Sequence, residues 1–132
     1  MPVDLATLAL AAQRNAYAPY SSFAVGAAVE SVDGRTFVGC NVENASYPLS
    51  VCAERHAIAA AVVAGAQAFT AVAVATHTSP PSPPCGACRQ VLREWGPDLK
   101  VILVNPAGER VETTLAVLLP QSFGPEHLTR RP

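Results

Sequence analysis

Charge is scarce in this sequence, aromatics are few, and no apolar run is long. Of 132 residues, 14% are charged and 6% aromatic, and nine Lys and Arg nearly cancel ten Asp and Glu. Polynucleotide binders usually carry a basic excess, so no nucleic-acid partner is expected and a small substrate is. The longest apolar stretch, Ala57 to Ala66, covers ten residues, where a membrane span needs roughly twenty. No membrane partner is expected either. Asp4, with no early Lys or Arg, precedes a short apolar stretch, which is not the pattern of a secretory signal. The expectation is a cytoplasmic protein, and in that compartment thiols stay reduced. The four cysteines therefore read first as metal ligands or reactive thiols. What the chain has in quantity is hydrophobic residues, 50% of the total. That excludes wholesale disorder and supports one domain spanning residues 1–132.

Leu5, Ala9, Ala12 and Ala16 recur at helical spacing over residues 3–17, with Gln13, Arg14 and Asn15 off the stripe. Pro19 should end this first helix. Residues 24–32 and 35–42 flank Asp33-Gly34, a hairpin signal whose two central residues would both take positive φ. The Ala-rich stretch 53–64 favours helix, and Gly65 can close it in a left-handed cap. Residues 69–76 suit a buried strand. The proline-rich loop 79–84 then delivers Cys85 to a third helix over 86–95. Strands over 100–104 and 110–113 and a short helix over 115–119 complete the order α-β-β-α-β-α-β-β. That order argues an α/β domain with helices packed on one mixed sheet.

The chemistry gathers at two helix starts. Cys52-Ala53-Glu54 opens one and Pro84-Cys85-Gly86-Ala87-Cys88 opens the other. A lone Cys-x-x-Cys would fit a redox pair or half a structural zinc site. A third cysteine changes the count: three protein ligands leave one corner of tetrahedral zinc open, the catalytic arrangement. Thiolates are also stabilised at helix N-termini. Three thiolates and Zn²⁺ sum to −1, so a compensating cation is expected. Arg55 and Arg89 each adjoin a motif residue, and at least one should donate to the sulfurs. Glu54 can stand beside the metal without binding it and carry protons. This Cys-x-Glu and Pro-Cys-x-x-Cys pairing is the pattern of zinc nucleobase deaminases.

On these residues the chain resembles the small three-cysteine cytidine deaminases. The likeness extends through Pro19-Tyr20-Ser21-Ser22-Phe23-Ala24-Val25-Gly26-Ala27-Ala28, Gly39-Cys40-Asn41-Val42-Glu43-Asn44-Ala45-Ser46-Tyr47, Arg89-Gln90-Val91 and Leu118-Leu119-Pro120-Gln121-Ser122-Phe123-Gly124. The resemblance implies a three-layer α-β-α fold with a mixed five-stranded sheet. It implies Cys52, Cys85 and Cys88 as ligands of one Zn²⁺ per subunit and Glu54 as proton shuttle. Asn41 and Glu43 would hold the ribose, Phe23 would pack on the pyrimidine, and the backbone at Ala53 and over 82–84 would read the base edge. Arg55 would neutralise the thiolates. A homotetramer is implied, with Phe123 and Tyr47 contributed across subunits. The activity implied is hydrolysis of cytidine and deoxycytidine to the uridines and ammonia, in pyrimidine salvage.

Other residues read as structural. Cys40 lies in a strand with no partner motif, and His56, His77 and His127 lack ligand spacing to the cysteines. Trp95 is expected to pack the third helix on the sheet. A structural zinc module would need a fourth protein ligand, and a dithiol oxidoreductase would leave Cys52 without a role.

Overall fold

A computed structural model describes residues 4–128. Its elements are α1 (Leu5–Gln13), β1 (Gly26–Ser31), β2 (Thr36–Cys40), α2 (Ala53–Val63), β3 (Phe69–Ala75), α3 (Gly86–Arg93), β4 (Lys100–Val104), β5 (Arg110–Thr114) and α4 (Leu115–Leu118). Short 3₁₀ turns occur at Tyr47–Leu49 and Pro125–Leu128. The five strands form one sheet in the order β2-β1-β3-β4-β5. Only β3 and β4 run parallel; the remaining neighbours are antiparallel. This is the mixed five-stranded α/β architecture expected.

Strand alternation sorts the core into two layers. Val29, Val72, Val74, Val101 and Leu103 face α2 and α3, joined by Ala57, Ile58, Ala61 and Leu92. Ala28, Ala71, Ala73, Ala75 and Ile102 face α1, joined by Leu5, Ala6 and Ala9. Alanine supplies six of the nine buried residues on the α1 side, the others being Leu5, Ile102 and Val104, so that helix lies close to the sheet. A Cβ at Gly26 would stand 2.1 Å from the Ala9 carbonyl oxygen. Gly39 does the same for α2, where a Cβ would lie 2.5 Å from both the Ala53 oxygen and the Ala57 nitrogen. Gly39 thereby seats the first turn of α2, the turn that carries Glu54.

Several local expectations change in detail. Helix α1 ends at Gln13, well before Pro19. Gln13 is on the buried face, because its amide donates to the Ala24 carbonyl at 3.1 Å and so satisfies a polar group inside the fold. The hairpin turns where expected, but only Gly34 takes positive φ, at 90°. A turn closed by Gly34 N to Ser31 O at 3.0 Å precedes it, and Asp33 accepts from Ser31 Oγ and from Arg35 N at 3.2 Å. The loop is thus a turn followed by one left-handed glycine. Gly65 closes α2 as anticipated, at φ 93°, with Ala66 N bonding to Ala61 O and Gly65 N to Val62 O, each at 3.0 Å. Trp95 lies just past α3, edge-on to Phe69 at 5.0 Å, and donates to the Gln67 carbonyl at 3.1 Å.

Candidate active site

Two helix starts meet beyond the ends of the central strands. Cys52 caps α2 and Cys85 caps α3, where its sulfur accepts from Cys88 N at 3.5 Å. The three sulfurs of Cys52, Cys85 and Cys88 all lie within 4.8 Å of one another, and Cys52 and Cys85 are 4.0 Å apart. Tetrahedral zinc with sulfur at about 2.3 Å needs sulfurs about 3.8 Å from each other. The donor set and its spacing therefore fit zinc. Among the described residues no His, Cys, Asp or Glu joins these three as a fourth ligand. The described residues thus form no closed structural site of four such ligands.

Charge within the cluster is uneven. The Cys88 thiol pointing at Cys52, with smaller effects of Cys85, Arg55 and His56, brings the Cys52 thiol down to about 6 despite its burial. Cys88 is pushed up as the donor in that pair and by burial. Glu54 is 3% exposed. Burial pushes its carboxyl up to about 7, and the neighbouring Cys52 adds to the rise.

A cavity of about 380 Å³ opens over this cluster. Phe23, Asn41, Glu43, Cys52, Ala53, Glu54, Cys85 and the stretch 82–84 line it. The fold thus brings these expected residues together. Asn41 and Glu43 lie just past β2 rather than within it. Val42 between them bridges to Tyr17 and Val51. Both side chains also hold backbone. Asn41 accepts from Val25 N at 2.8 Å and donates to the Phe23 carbonyl at 2.7 Å. Glu43 accepts from Tyr20 N at 2.9 Å, from Ser21 N at 3.1 Å and from Ser21 Oγ. The Ser21 hydroxyl, first among these donors, holds the Glu43 carboxyl below its usual range.

Three expected residues sit elsewhere. Tyr47 lies outside this cavity, 70% exposed and tilted against Tyr20 at 5.6 Å, beside an adjoining hollow that shares Ser21 and Glu43. Phe123 is also outside it, 56% exposed and stacked on His127 at 5.3 Å. Arg89 does not serve the sulfurs: it donates to the Pro84 carbonyl at 2.8 Å and the Leu118 carbonyl at 2.7 Å, tying the proline loop to α4. Arg55 is exposed and acts on Cys52 through its charge.

Thr76 escaped the sequence reading. It directly follows β3, is 2% exposed, and lines the cavity, while its hydroxyl accepts from Ser82 N at 2.9 Å. The signal available was positional: ligands of α/β sheets gather at the carboxyl ends of parallel strands. Thr78 and the buried Asn105 extend the brace. Asn105 donates to the Thr78 carbonyl at 2.9 Å and Thr78 Oγ1 lies 2.6 Å from Ser82 Oγ. The proline loop is therefore pinned along its length.

Fold and site together define a class, a metal-binding hydrolase for small substrates. Comparison with known proteins narrows it. Residues 3–104 match the model of the cytidine and deoxycytidylate deaminase zinc-binding region. The cytidine deaminase of Sporosarcina psychrophila is 47% identical over 119 residues, covering 89% of this chain and 88% of its own length. That of Halalkalibacterium halodurans is 48% identical over 121 residues, 91% of this chain and 92% of its own. The crystal structure of cytidine deaminase from Burkholderia pseudomallei superposes with a TM-score of 0.86 at 52% identity, over 90% of this chain and 96% of that one. The chain belongs to the cytidine deaminase family, and is an enzyme that hydrolyses a C–N bond.

Proposed function

We propose that this chain converts cytidine and deoxycytidine to uridine and deoxyuridine with release of ammonia, in pyrimidine salvage. One observation carries the reading: a carboxyl 3% exposed stands beside three clustered thiols with no fourth His, Cys, Asp or Glu ligand among the described residues, in a cavity of about 380 Å³. That volume is in the range of small-molecule sites.

Cys52, Cys85 and Cys88 would hold Zn²⁺, one ion per subunit. When bound, the ion supplies the Lewis acidity that makes water a nucleophile near neutral pH. Glu54 takes the proton of the attacking water and gives it to N3 of the ring. A C4–O bond forms, and C4 becomes tetrahedral. Glu54 then moves the second proton to the amino nitrogen, the C4–N bond breaks, and ammonia leaves. A buried carboxyl suits both directions of transfer, because no solvent shell competes for its proton. Phe23 packs on the pyrimidine, while Asn41 and Glu43 hold the ribose hydroxyls. The backbone at Ala53 and 82–84 reads the base edge. Binding energy from the sugar fixes the base for a reaction that must break its aromaticity. Arg55 offsets the net negative charge of three thiolates on a divalent ion.

The 132 residues act as a single cytoplasmic domain that assembles into a homotetramer, where Tyr47 and Phe123 reach toward a neighbouring subunit's site. Their exposure, 70% and 56%, supports that role, as does that of Leu49 and Val63, at 65% and 90%. No helix among the described residues is long and apolar enough to cross a membrane. Incubating the zinc-loaded protein with cytidine and following ultraviolet absorbance tests the activity. Conversion to uridine is expected; an unchanged spectrum would contradict it.

A further inference from the structure

Phe23 and Glu43 belong to different segments, yet one hydroxyl connects them. Ser21 Oγ donates to Glu43 Oε2 and accepts from Phe23 N at 3.0 Å. The Ser21 and Tyr20 nitrogens bond to the other carboxylate oxygen, Oε1. Between Ser21 and Phe23, Ser22 takes φ 59°, a left-handed conformation that side-chain-bearing residues disfavour. Its nitrogen bonds to Ala18 O at 3.0 Å. The turn is therefore tight and held in an unfavourable backbone state by its hydrogen bonds. Serine is the residue type that serves here: one hydroxyl both donates and accepts. Ser21 also lines the cavity beside both residues it joins.

We propose that Ser21 is a positioning residue that locks Glu43 and Phe23 into one geometry, so that the sugar and the base are gripped as a unit. This rests on the cytidine-deaminase reading of the same cavity. Without the hydroxyl, Glu43 keeps only the Tyr20 and Ser21 nitrogens on Oε1, so Oε2 is no longer fixed toward the sugar, and Phe23 N loses the bond that fixes the ring. Substrate binding then weakens while the chemistry at Glu54, on α2, is untouched.

The experiment compares wild type, Ser21→Ala, and the isosteric pair Ser21→Thr and Ser21→Val, each zinc-loaded. Cytidine kinetics and calorimetric titration with uridine are measured on each. Ser21→Ala and Ser21→Val should raise KM and the uridine Kd about tenfold, the scale of one hydrogen bond to a charged group. Their kcat should stay within about twofold of wild type, and Ser21→Thr should restore wild-type binding. A Ser21→Ala protein with unchanged KM and uridine affinity, or Thr and Val variants alike, would overturn the proposal. So would a loss confined to kcat. A wild-type protein that neither converts cytidine nor binds uridine overturns the underlying reading along with it.

Discussion

Single side chains in this site hold structure and face the cavity at once. Asn41 is the clearest case. Its alternation with Glu43 was visible in the sequence, and the likeness to a known family suggested a ribose role. Its bonds to Val25 N and the Phe23 carbonyl were not visible, because those residues lie 16 and 18 positions away in the chain. Removing that amide leaves two backbone groups without their partner, at about 1–3 kcal/mol. Asn41→Ala should therefore lower unfolding free energy in urea by about 1–2 kcal/mol besides raising KM. An Asn41→Ala protein of unchanged stability would mean the amide does no structural service. Cys88 is fully buried, and as one of three sulfurs it has no replacement among the described residues. Cys88→Ala should retain less than about a tenth of the zinc in a metal assay after dialysis, since one of three protein ligands is gone. Retention of a full equivalent would contradict the ligand set.

At the scale of elements, most boundaries were legible because each had a local cause. The Gly65 cap, the turn at Gly34 and the cysteine caps of α2 and α3 all arise within a few residues. What escaped depended on distant neighbours. Gln13 looked like a solvent-facing residue until the Ala24 carbonyl came to meet it. Arg93 sits on α3 yet is buried, because Ser122 and Glu126 of the following tail receive its guanidinium. Gly39 gave no local sign either; its need is the approach of α2, which only packing creates. Gly39→Ala should displace the first turn of α2 and destabilise the fold by about 1–3 kcal/mol, as overpacking does. Because that turn carries Glu54, kcat should fall as well. Wild-type melting and turnover in Gly39→Ala would show that α2 has room to spare.

For the whole molecule, acid is the informative perturbation. Glu43, Glu109, Glu112 and Glu126 are all held below their ordinary value of 4.5, chiefly by side-chain hydrogen bonds from Ser21, Ser79, Lys100 and Arg93 respectively. These bonds tie loop to loop at Glu43 and Glu109, β5 to β4 at Glu112, and the tail to α3 at Glu126. A lowered folded value means that the contribution is complete above 4.5 and is lost as pH falls through the folded values. Stability followed by thermal melts should thus change little through these groups near neutrality and drop below about pH 4.5. A decline beginning near pH 6 would require another group. The sheet order, the two-layered core and the meeting of the α2 and α3 starts serve one end, a buried acid beside three clustered thiols. Glu54→Gln tests this most directly, with zinc content and uridine production read on the same sample. The account predicts an undiminished zinc equivalent and a rate reduced by about 10²–10⁴, the usual worth of a general acid–base group. Near-normal uridine production with the metal retained would contradict it.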